Sequence, residues 1–502
     1  MLTLGLTTGV EFLENSMLVL SSAHVQGGVG ATPEEFVWVT AAYATAAILM
    51  ILLQQNLTEH FGYRRYLTAS LIVYAAASLG CGFAHSVITL IAWRVVQGAG
   101  AGALFTSCRI LIQFTFLGPE RVKALRFFMA GVFGGSTLAP LLATRLIDAS
   151  TWNWIFWIIV PIILACALLV WFTVPEPESA EKAEQQIERR VRYDYWPIAL
   201  FAVSIVSVEI VMQRVRFQFL TQSPHLLLLL AVAILAIVGF VTHQLRVPDP
   251  ILHLTGLRNK QFLWGLLFYF IYYLLAYAFS YLFPVFCEQV LLYSVDFMGR
   301  LLFFSGVVSM AGVMVYLGVS SRLRRRKLLM CAGMLSMAAA FWMLSRLSTQ
   351  IAASGLYLPL FLRSLFAAML VLPVAGLAFK EFELDFYSHA YRLKNIIRQL
   401  CQTFAVAAMT VMLHHRAAVH RFDLAGDADP SSAAVSQRIS TLSHGLIAHG
   451  LGAADAHAAA LALMGKALER QILLLSCLDA FTLLAGVALL GFALMALQRQ
   501  LD

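Results

Sequence analysis

Residues 54–65, QQNLTEHFGYRR, decide the fold, because they join two long apolar runs through a short charged turn. Gly62 supplies the conformational freedom that a tight reversal between antiparallel helices needs. Glu59 precedes the turn, and Arg64 and Arg65 follow it, so an acid and two bases can pair at a membrane surface. An ordinary basic turn between two membrane helices is the alternative interpretation of this stretch.

The composition around this turn is that of a membrane protein. Of the 502 residues, 60% are hydrophobic and 12% are charged, whereas a typical soluble domain has about 25% charged residues. The net charge of +8 comes from basic residues placed between apolar runs, which indicates cytoplasmic loops and excludes a nucleic-acid-binding surface. The seven cysteines have neither a disulfide pattern nor a zinc-ligand spacing, so we expect no metal site and no cofactor.

Fourteen apolar runs are long enough to cross a lipid bilayer as helices, which takes about 20 residues each. The predicted fold class is therefore an all-α integral membrane protein with 14 transmembrane helices. The runs cover residues 4–24, 36–56, 66–86, 88–114, 124–147, 153–174, 195–213, 223–245, 262–286, 296–319, 328–346, 352–378, 390–413 and 472–497.

Basic residues are distributed unevenly between the two sets of connections. With a cytoplasmic N-terminus, the cytoplasmic connections hold 21 Lys and Arg residues, including Arg392, Lys394 and Arg398, and the short opposite connections hold 5. Because basic residues near the spans resist translocation, residues 175–194 are predicted to be cytoplasmic and residues 414–471 to lie outside. We expect a short helix in the second part of that insert, and its histidines in a solvated loop rather than at a metal.

Residues 54–65 resemble the G-x-L-a-D-r-x-G-R-R loop of the major facilitator superfamily, with Gln55 in place of the first glycine and Glu59 in place of the aspartate. The resemblance implies that Glu59, Gly62, Arg64 and Arg65 form a cytoplasmic gate, in which the acid locks the outward-facing state. It also implies transport of small-molecule substrates across the bilayer.

The fourth run carries a second match. Residues 90–102, LIAWRVVQGAGAG, are similar to the family's R-x-x-q-G-x-g motif. An arginine inside an apolar helix is costly and implies a partner or an aqueous cavity, so Arg94 is a candidate transport residue. Gly98 and Gly102 permit close helix approach. The alternative for Arg94 is a side chain that extends to the membrane surface.

The first run contains two carboxyl groups that share a helix face, Glu11 and Glu14. Residues 9–16, GVEFLENS, resemble the M-x-x-L-D-x-T start of the 14-span drug:proton antiporters, with Glu14 at the aspartate position. Intramembrane carboxyl groups indicate function, so Glu14, Arg94 and Glu11 are the predicted proton-coupling residues. The alternative for Glu11 and for Glu14 is a solvated residue at the helix end.

The fifth run is a weaker match to the same group. Residues 131–144 lie where antiporters carry G-x-x-x-G-P-x-x-G-G, but only Gly135 and Pro140 fit it cleanly, which weakens the prediction of antiport. Residues 152–156, WNWIF, resemble the W-R-W-I-F stretch of the 14-span group. Short matches in the second half extend the resemblance over essentially the whole chain.

The resemblance implies two six-helix bundles, at residues 1–174 and 248–502, with a cytoplasmic linker at 175–194, two additional helices in 195–247 and the outer insert at 414–471. The implied function is proton-coupled efflux of small amphipathic compounds by a multi-pass protein of the inner (plasma) membrane, as in multidrug exporters. Tyr269, Tyr273 and Tyr277 are predicted to line the substrate cavity, with core or lipid-facing packing as the alternative.

Two other functions stay open at this point. One is a dedicated exporter or importer of a single metabolite, such as a siderophore; the other is an integral membrane enzyme or a non-transporting subunit. The sequence has no nucleotide-binding, G-x-S-x-G or H-E-x-x-H motif and no catalytic residue that we can name. A neighbouring gene for a periplasmic adaptor would indicate a tripartite pump with an outer-membrane channel, and biosynthetic neighbours would indicate a dedicated exporter.

Overall fold

The computed structural model describes residues 1–149, 151–175, 195–215, 223–248, 250–254, 259–320, 325–379, 384–427 and 433–498. Within these ranges every regular element is helical. The predicted linker lies outside the described residues apart from its first position, as do Arg258, Arg322, Arg324 and Lys380 of the predicted cytoplasmic set.

The first half contains nine helices in its described residues. They are α1 Leu2–Leu20, α2 Ser22–Gly28, α3 Pro33–Phe61, α4 Tyr63–Gly82, α5 Val87–Ala101, α6 Leu104–Thr115, α7 Gly118–Ala149, α8 Trp154–Trp157 and α9 Val160–Thr173.

Two helices follow the linker, and the second half comes after them. The two helices are α10 Tyr195–Arg214 and α11 Pro224–Arg246. The helices of the second half are α12 Lys260–Val285, with a π-helical turn at Phe286–Val290, α13 Val295–Val319, α14 Arg326–Leu344, a 3-10 turn at Ala353–Leu356, α15 Tyr357–Ala378, α16 Leu384–Asp427, α17 Ala433–Ala448 and α18 Ala453–Leu497.

Each of the fourteen predicted apolar runs falls on a helix. In the described chain, twelve helical segments are long and apolar enough to cross a membrane, with α5 and α6 forming one span and α8 and α9 another. The two remaining runs are α1, with 19 residues, and α4, with 20. At 1.5 Å per residue these helices are about 29 and 30 Å long, close to the thickness of the hydrocarbon core. The structure is therefore consistent with fourteen spans.

Local sequence signals set the ends of several helices. Thr32 and Glu35 form a capping box at the start of α3, in which each side chain accepts a hydrogen bond from the other residue's backbone N–H. The reversal between α3 and α4 occurs at Gly62, whose φ of 77° lies in the region that favours glycine. The turn predicted from residues 54–65 therefore separates two antiparallel helices.

Two large apolar cores lie in the described chain. The first is built mainly from α1–α9 but also contains residues of the second half, such as Tyr316, Leu372 and Tyr391, whereas the buried residues of the second all come from α12–α18 and their turns. The halves contact each other along α7 and α13 and along α3 and α16. Helix α10 packs on α11, α3 and α16, so the two additional helices lie beside the contact between the halves.

Helices α16 and α18 have 44 and 45 residues and are about 66 and 68 Å long. The residues beyond the predicted spans therefore continue both helices, where we expected a loop with one short helix. Together with α17 they form a helical projection, defined here as residues 414–427, 433–448 and 453–471. An apolar run marks only the part of a helix that crosses lipid, whereas backbone hydrogen bonding continues through polar sequence.

Salt bridges connect the two long helices. Arg421 donates from Nη2 to both carboxylate oxygens of Glu469, at 2.9 Å each. The Asp479 carboxylate accepts hydrogen bonds from Arg416 Nε at 2.6 Å and His420 Nε2 at 2.7 Å. The predicted solvated histidine His420 therefore lies against an acid of the neighbouring helix.

Candidate functional site

A buried polar cluster lies inside the first half, where α1, α4 and α5 meet. Glu14 and Arg94 are both fully buried, and the distance from Arg94 Nη1 to Glu14 Oε1 is 3.8 Å. Gln97 connects them, since its Nε2 donates to Glu14 Oε1 and its Oε1 accepts from Arg94 Nη1. The Tyr74 hydroxyl donates to Glu14 Oε2, and Gln97 Nε2 also contacts Ser78 Oγ at 2.8 Å. Two predicted residues, on different helices, therefore belong to one hydrogen-bonded network.

Arg94 has further partners on α3. Its Nε donates to the backbone carbonyl of Val39 at 3.3 Å, and its guanidinium lies over the Tyr43 ring, 4.3 Å from the centroid. These contacts stabilise the charged guanidinium group, whose burial inside the bundle would otherwise cost a large free energy. The alternative in which Arg94 extends to the membrane surface is therefore wrong.

Glu11 has a different environment from Glu14, although one helical turn separates them. Its Oε2 accepts a hydrogen bond from the Phe105 backbone N–H at 3.1 Å, and its Oε1 lies 3.9 Å from Arg398 Nη2. Glu11 is 1% exposed, so it is not a solvated residue at a helix end. It lines the cavity between the halves, whereas Glu14 lies behind that wall. Glu11 thus faces the cavity, and Glu14 belongs to the buried cluster one helical turn away.

The cavity between the halves has a volume of about 660 Å³ and is lined by residues of both bundles. Tyr269, Tyr273 and Tyr277 lie in its wall, one helical turn apart on α12. Their rings form a ladder, with centroid distances of 5.8 and 6.0 Å and interplanar angles of 13° and 22°. The structure thus places these three tyrosines at the cavity rather than against lipid.

Three basic residues of the predicted cytoplasmic set are instead buried within α16. Arg392, Lys394 and Arg398 are at most 5% exposed, so their assignment to a loop is wrong. Lys394 and Arg398 line the cavity, and so does Arg109 of α6, which the sequence analysis did not single out. The available signal was the i, i+4 spacing of Lys394 and Arg398, which places both side chains on one helix face.

At the Gly62 end of the molecule, the halves are joined through Gln55 rather than directly through Glu59. Arg392 Nη2 donates to Gln55 Oε1 at 2.6 Å, and its Nη1 donates to the Leu52 carbonyl at 2.8 Å. Gln55 Nε2 in turn donates to Glu59 Oε1 at 2.7 Å. Of the two residues that depart from the family pattern, Gln55 and Glu59, the one that accepts a hydrogen bond from the second half is therefore Gln55.

The other predicted gate residues lie around the same turn. The Arg64 guanidinium is 5.0 Å from the centroid of the Trp171 ring. Glu59 and Arg65 are exposed. Both charges therefore lie at the surface of the Gly62 end, where their surroundings can change when the two halves move.

Glycines permit backbone-to-backbone crossings at the predicted packing motif. A methyl group at Gly98 would meet the Tyr43 carbonyl, and one at Gly102 would meet Ala47 on α3. Gly135 of α7 similarly faces the backbone of Gly9 on α1.

The proline of the fifth run lies at a contact between the halves. Pro140 lines the cavity, and its carbonyl faces Gly299 of α13. The same stretch of α7 contacts α13 again where Thr137 faces Gly306.

Comparison with known proteins identifies the family. The sequence profile of the Major Facilitator Superfamily matches residues 4–406. Multidrug export protein EmrB of Escherichia coli (strain K12) is 23% identical over 97% of this chain and 92% of its own length. Fatty acid resistance protein FarB of Neisseria gonorrhoeae is 22% identical over 89% of this chain and 87% of its own length.

A solved structure shares the fold at low sequence identity. The human organic anion transporter MFSD10 (TETRAN) superposes with a TM-score of 0.62 and 15% identity, and the match covers 98% of each chain. The family profile covers most of the sequence, and the helices are those of a multi-pass membrane protein. The chain therefore belongs to the major facilitator superfamily, and it is a membrane transporter of small molecules rather than an enzyme.

Proposed function

We propose that this transporter exports small amphipathic compounds across the inner (plasma) membrane in exchange for protons. The observation that carries the proposal is the placement of two buried carboxyl groups, with Glu11 in the cavity wall and Glu14 one turn behind it in contact with Gln97. Carboxyl groups inside a membrane bundle mark proton pathways by default. The names of the relatives, a multidrug export protein and a fatty acid resistance protein, support export.

The proposed cycle uses the two halves as the moving parts. Substrate enters the cavity from the cytoplasmic side, and rocking of the halves opens it to the other side. Protonation of Glu14 changes its hydrogen bonds with Gln97 and Tyr74, and through Gln97 it alters the position of Arg94. A proton can thereby favour one arrangement of the first half over another.

The contact between Arg392 and Gln55 joins the two halves at the Gly62 end. We propose that Glu59, Arg64 and Arg65, together with Gln55, stabilise the state in which this end is closed. Because these groups lie at the surface or near it, their contribution to folding is small compared with their effect on which state is populated.

The direct test uses everted membrane vesicles that contain the overproduced protein. With an imposed proton gradient, we expect accumulation of an amphipathic dye that a protonophore abolishes. Accumulation in right-side-out vesicles only would support the rival function of an importer. Dye accumulation that persists without any proton gradient would overturn the proposed coupling.

A partner assembly is the remaining part of the proposal. We propose that the helical projection contacts a periplasmic adaptor, through which an outer-membrane channel is reached. Affinity purification of the full-length chain from its native membrane, compared with a variant lacking residues 433–448, tests this. Recovery of the same adaptor with both chains would exclude α17 as its docking site.

A further inference from the structure

The charged side chains that line the cavity are strongly unbalanced. Six basic residues lie in the described wall, and Glu11 is the single carboxylate among its lining residues. The basic residues are Arg109, Arg121, Arg326, Arg363, Lys394 and Arg398. A cavity with this excess of positive charge attracts anions and repels cations, because low-dielectric walls strengthen the field inside it.

The one carboxylate is already compensated. Glu11 Oε1 lies 3.9 Å from Arg398 Nη2 and its Oε2 accepts the Phe105 N–H. Arg398 is 5% exposed, and its buried Nε has no hydrogen-bond partner in the described chain. Glu11 is therefore not available as a counter-ion for a cationic substrate, and Arg398 retains an unused donor.

Lys394 is the group that points most directly to a ligand. It is 3% exposed, and four aromatic rings surround its ammonium group. The distances from Nζ to the ring centroids are 4.3 Å for Tyr391, 5.0 Å for Tyr269, 5.1 Å for Phe105 and 5.9 Å for Tyr273. No carboxylate lies within ion-pair distance of Lys394 in the described part of the chain.

Within the described ranges, Lys394 lacks the carboxylate counter-ion that a buried ammonium group needs. Aromatic faces replace only part of the hydration of an ammonium ion, and an unpaired buried charge is costly. The other cations nearby, Arg398 over the Phe105 ring at 4.9 Å and Arg109 over the Tyr391 ring at 5.7 Å, increase that cost. An anion that enters the cavity would supply the missing counter-charge.

We propose that the cavity binds amphipathic organic anions, whose carboxylate or sulfonate group contacts Lys394 and Arg398 and whose apolar body lies along Tyr269, Tyr273 and Tyr277. The inference rests on the proposed export function for its biological meaning, but it concerns binding alone. The tyrosine ladder presents flat ring faces beside the two cations, so an aromatic acid fits both features at once.

The test compares probes that share one ring system and differ in charge. The binding of 2-naphthoate, neutral 2-naphthamide and 2-naphthylmethylammonium to the purified full-length protein is measured by calorimetry in a non-ionic detergent. We expect 2-naphthoate to bind at least about tenfold more tightly than the ammonium probe. This comparison needs no variant, and equal or tighter binding of the ammonium probe would overturn the proposal.

Variants then locate the anion. Lys394→Gln should weaken 2-naphthoate binding by about 10- to 100-fold and leave the ammonium probe unaffected, whereas Lys394→Arg should retain most of the affinity. Lys394→Met, which keeps the length of the side chain without its charge, gives a second neutral variant if Lys394→Gln does not fold. Lys123→Gln, at an exposed lysine of α7, is the matched control.

Unchanged 2-naphthoate affinity in a folded Lys394→Gln or Lys394→Met protein would also overturn the proposal. Because binding is measured without a proton gradient, the outcome is independent of the export function. Tight 2-naphthoate binding with no proton-driven flux would support the anion site and overturn the proposed export function. Proton-driven flux of the ammonium probe without 2-naphthoate binding would support the export function and overturn the anion site.

Discussion

At the scale of single residues, Gln97 is the centre of the buried cluster. Its amide donates to Glu14 and its carbonyl oxygen accepts from Arg94, so one uncharged side chain connects an acid and a base. An amide does not titrate, and it can satisfy Glu14 only in the orientation that also satisfies Arg94. A proton on Glu14 therefore reaches Arg94 in two ways: it removes a negative charge 3.8 Å from Nη1, and it changes the hydrogen bonds that Gln97 makes to both side chains.

The first prediction follows from this arrangement. Glu14→Gln should abolish proton-driven transport and leave substrate binding measurable, because the amide keeps the shape of the side chain and cannot exchange a proton. Gradient-driven flux in proteoliposomes and equilibrium binding are the two measurements. Glu120→Gln, at an exposed acid of α7, is the control. Proton-coupled flux that survives in Glu14→Gln would transfer the coupling role to Glu11, to Asp479 or to Glu209, a buried acid of α10.

The second prediction concerns Arg94. Its guanidinium contacts Gln97 through Nη1, Val39 through Nε and the Tyr43 ring through its face, a combination that a lysine cannot reproduce. Arg94→Ala should reduce flux at least about tenfold, and Arg94→Lys should recover only part of it. Flux per transporter in the two variants is the measurement. Full recovery by lysine would mean that charge alone is needed.

Part of the site could be predicted from the sequence and part could not. Glu14 and Arg94 stand out because an ionisable residue within a long apolar run is rare. Lys394 and Arg398 lie at the start of a run, where a basic residue has the same local sequence as one in a cytoplasmic loop. Only the contact between the two halves buries them, and no local pattern encodes that contact.

At the scale of elements, α1 and α7 cross where glycines face each other. A methyl group at Gly135 would meet the Gly9 carbonyl, whereas one at the adjacent Gly134 would enter open space. Neighbouring glycines of the same helix therefore have opposite tolerance for a side chain.

The third prediction uses this pair. Gly135→Ala should lower the free energy of unfolding by about 1–3 kcal/mol, because the helices must move apart. Gly134→Ala should leave it unchanged or raise it by up to about 1 kcal/mol through the better helix propensity of alanine. Thermal unfolding in detergent compares the two. Equal stability of both variants would contradict the close crossing.

The fourth prediction concerns the contact between α3 and α16. Glu59→Gln should reduce turnover at near-normal protein levels, and Arg392→Gln should reduce it further, because Arg392 makes the bonds that cross between the halves. Transport rate normalised to the amount of protein in the membrane is the measurement. Glu34→Gln, at the opposite end of α3, is the control. Normal turnover in both variants would mean that residues 54–65 form only a basic turn and that the bonds from Arg392 do not control transport.

The helices show why elements are more predictable than their ends. Apolar runs of about 20 residues locate every span, because lipid imposes that length. The continuation of α16 to Asp427 and the start of α18 at Ala453 lie in polar and alanine-rich sequence, where no apolar run marks a boundary. The extent of the helical projection therefore could not be read from hydropathy.

At the scale of the whole molecule, the distribution of basic residues still favours one orientation. Removal of Arg392, Lys394 and Arg398 from the cytoplasmic set leaves 18 basic residues against 5. Arg392 near the start of α16 contacts Leu52 and Gln55 near the end of α3, so α16 starts at the Gly62 end and the helical projection extends from the opposite end.

The fifth prediction is the topology. Both termini and the 175–194 linker should be cytoplasmic, and the 414–471 insert should lie outside. Alkaline phosphatase should be active when inserted at Gly450, between α17 and α18, and inactive when fused at the C-terminus. A fluorescent protein that folds only in the cytoplasm should give the opposite pattern. The reverse result with both reporters would overturn the orientation and the assignment of the gate.

The length of α16 and α18 has a mechanical consequence. Each helix is more than twice the thickness of the hydrocarbon core, and the parts that belong to the helical projection, 414–427 and 453–471, are about 21 and 28 Å long. The salt bridges between the two helices hold them together as one unit, which continues into the second bundle. If that bundle rocks by about 10° during transport, the far end of the projection moves by about 4–5 Å. A protein bound at the end of this projection would be displaced by the same distance in each such movement.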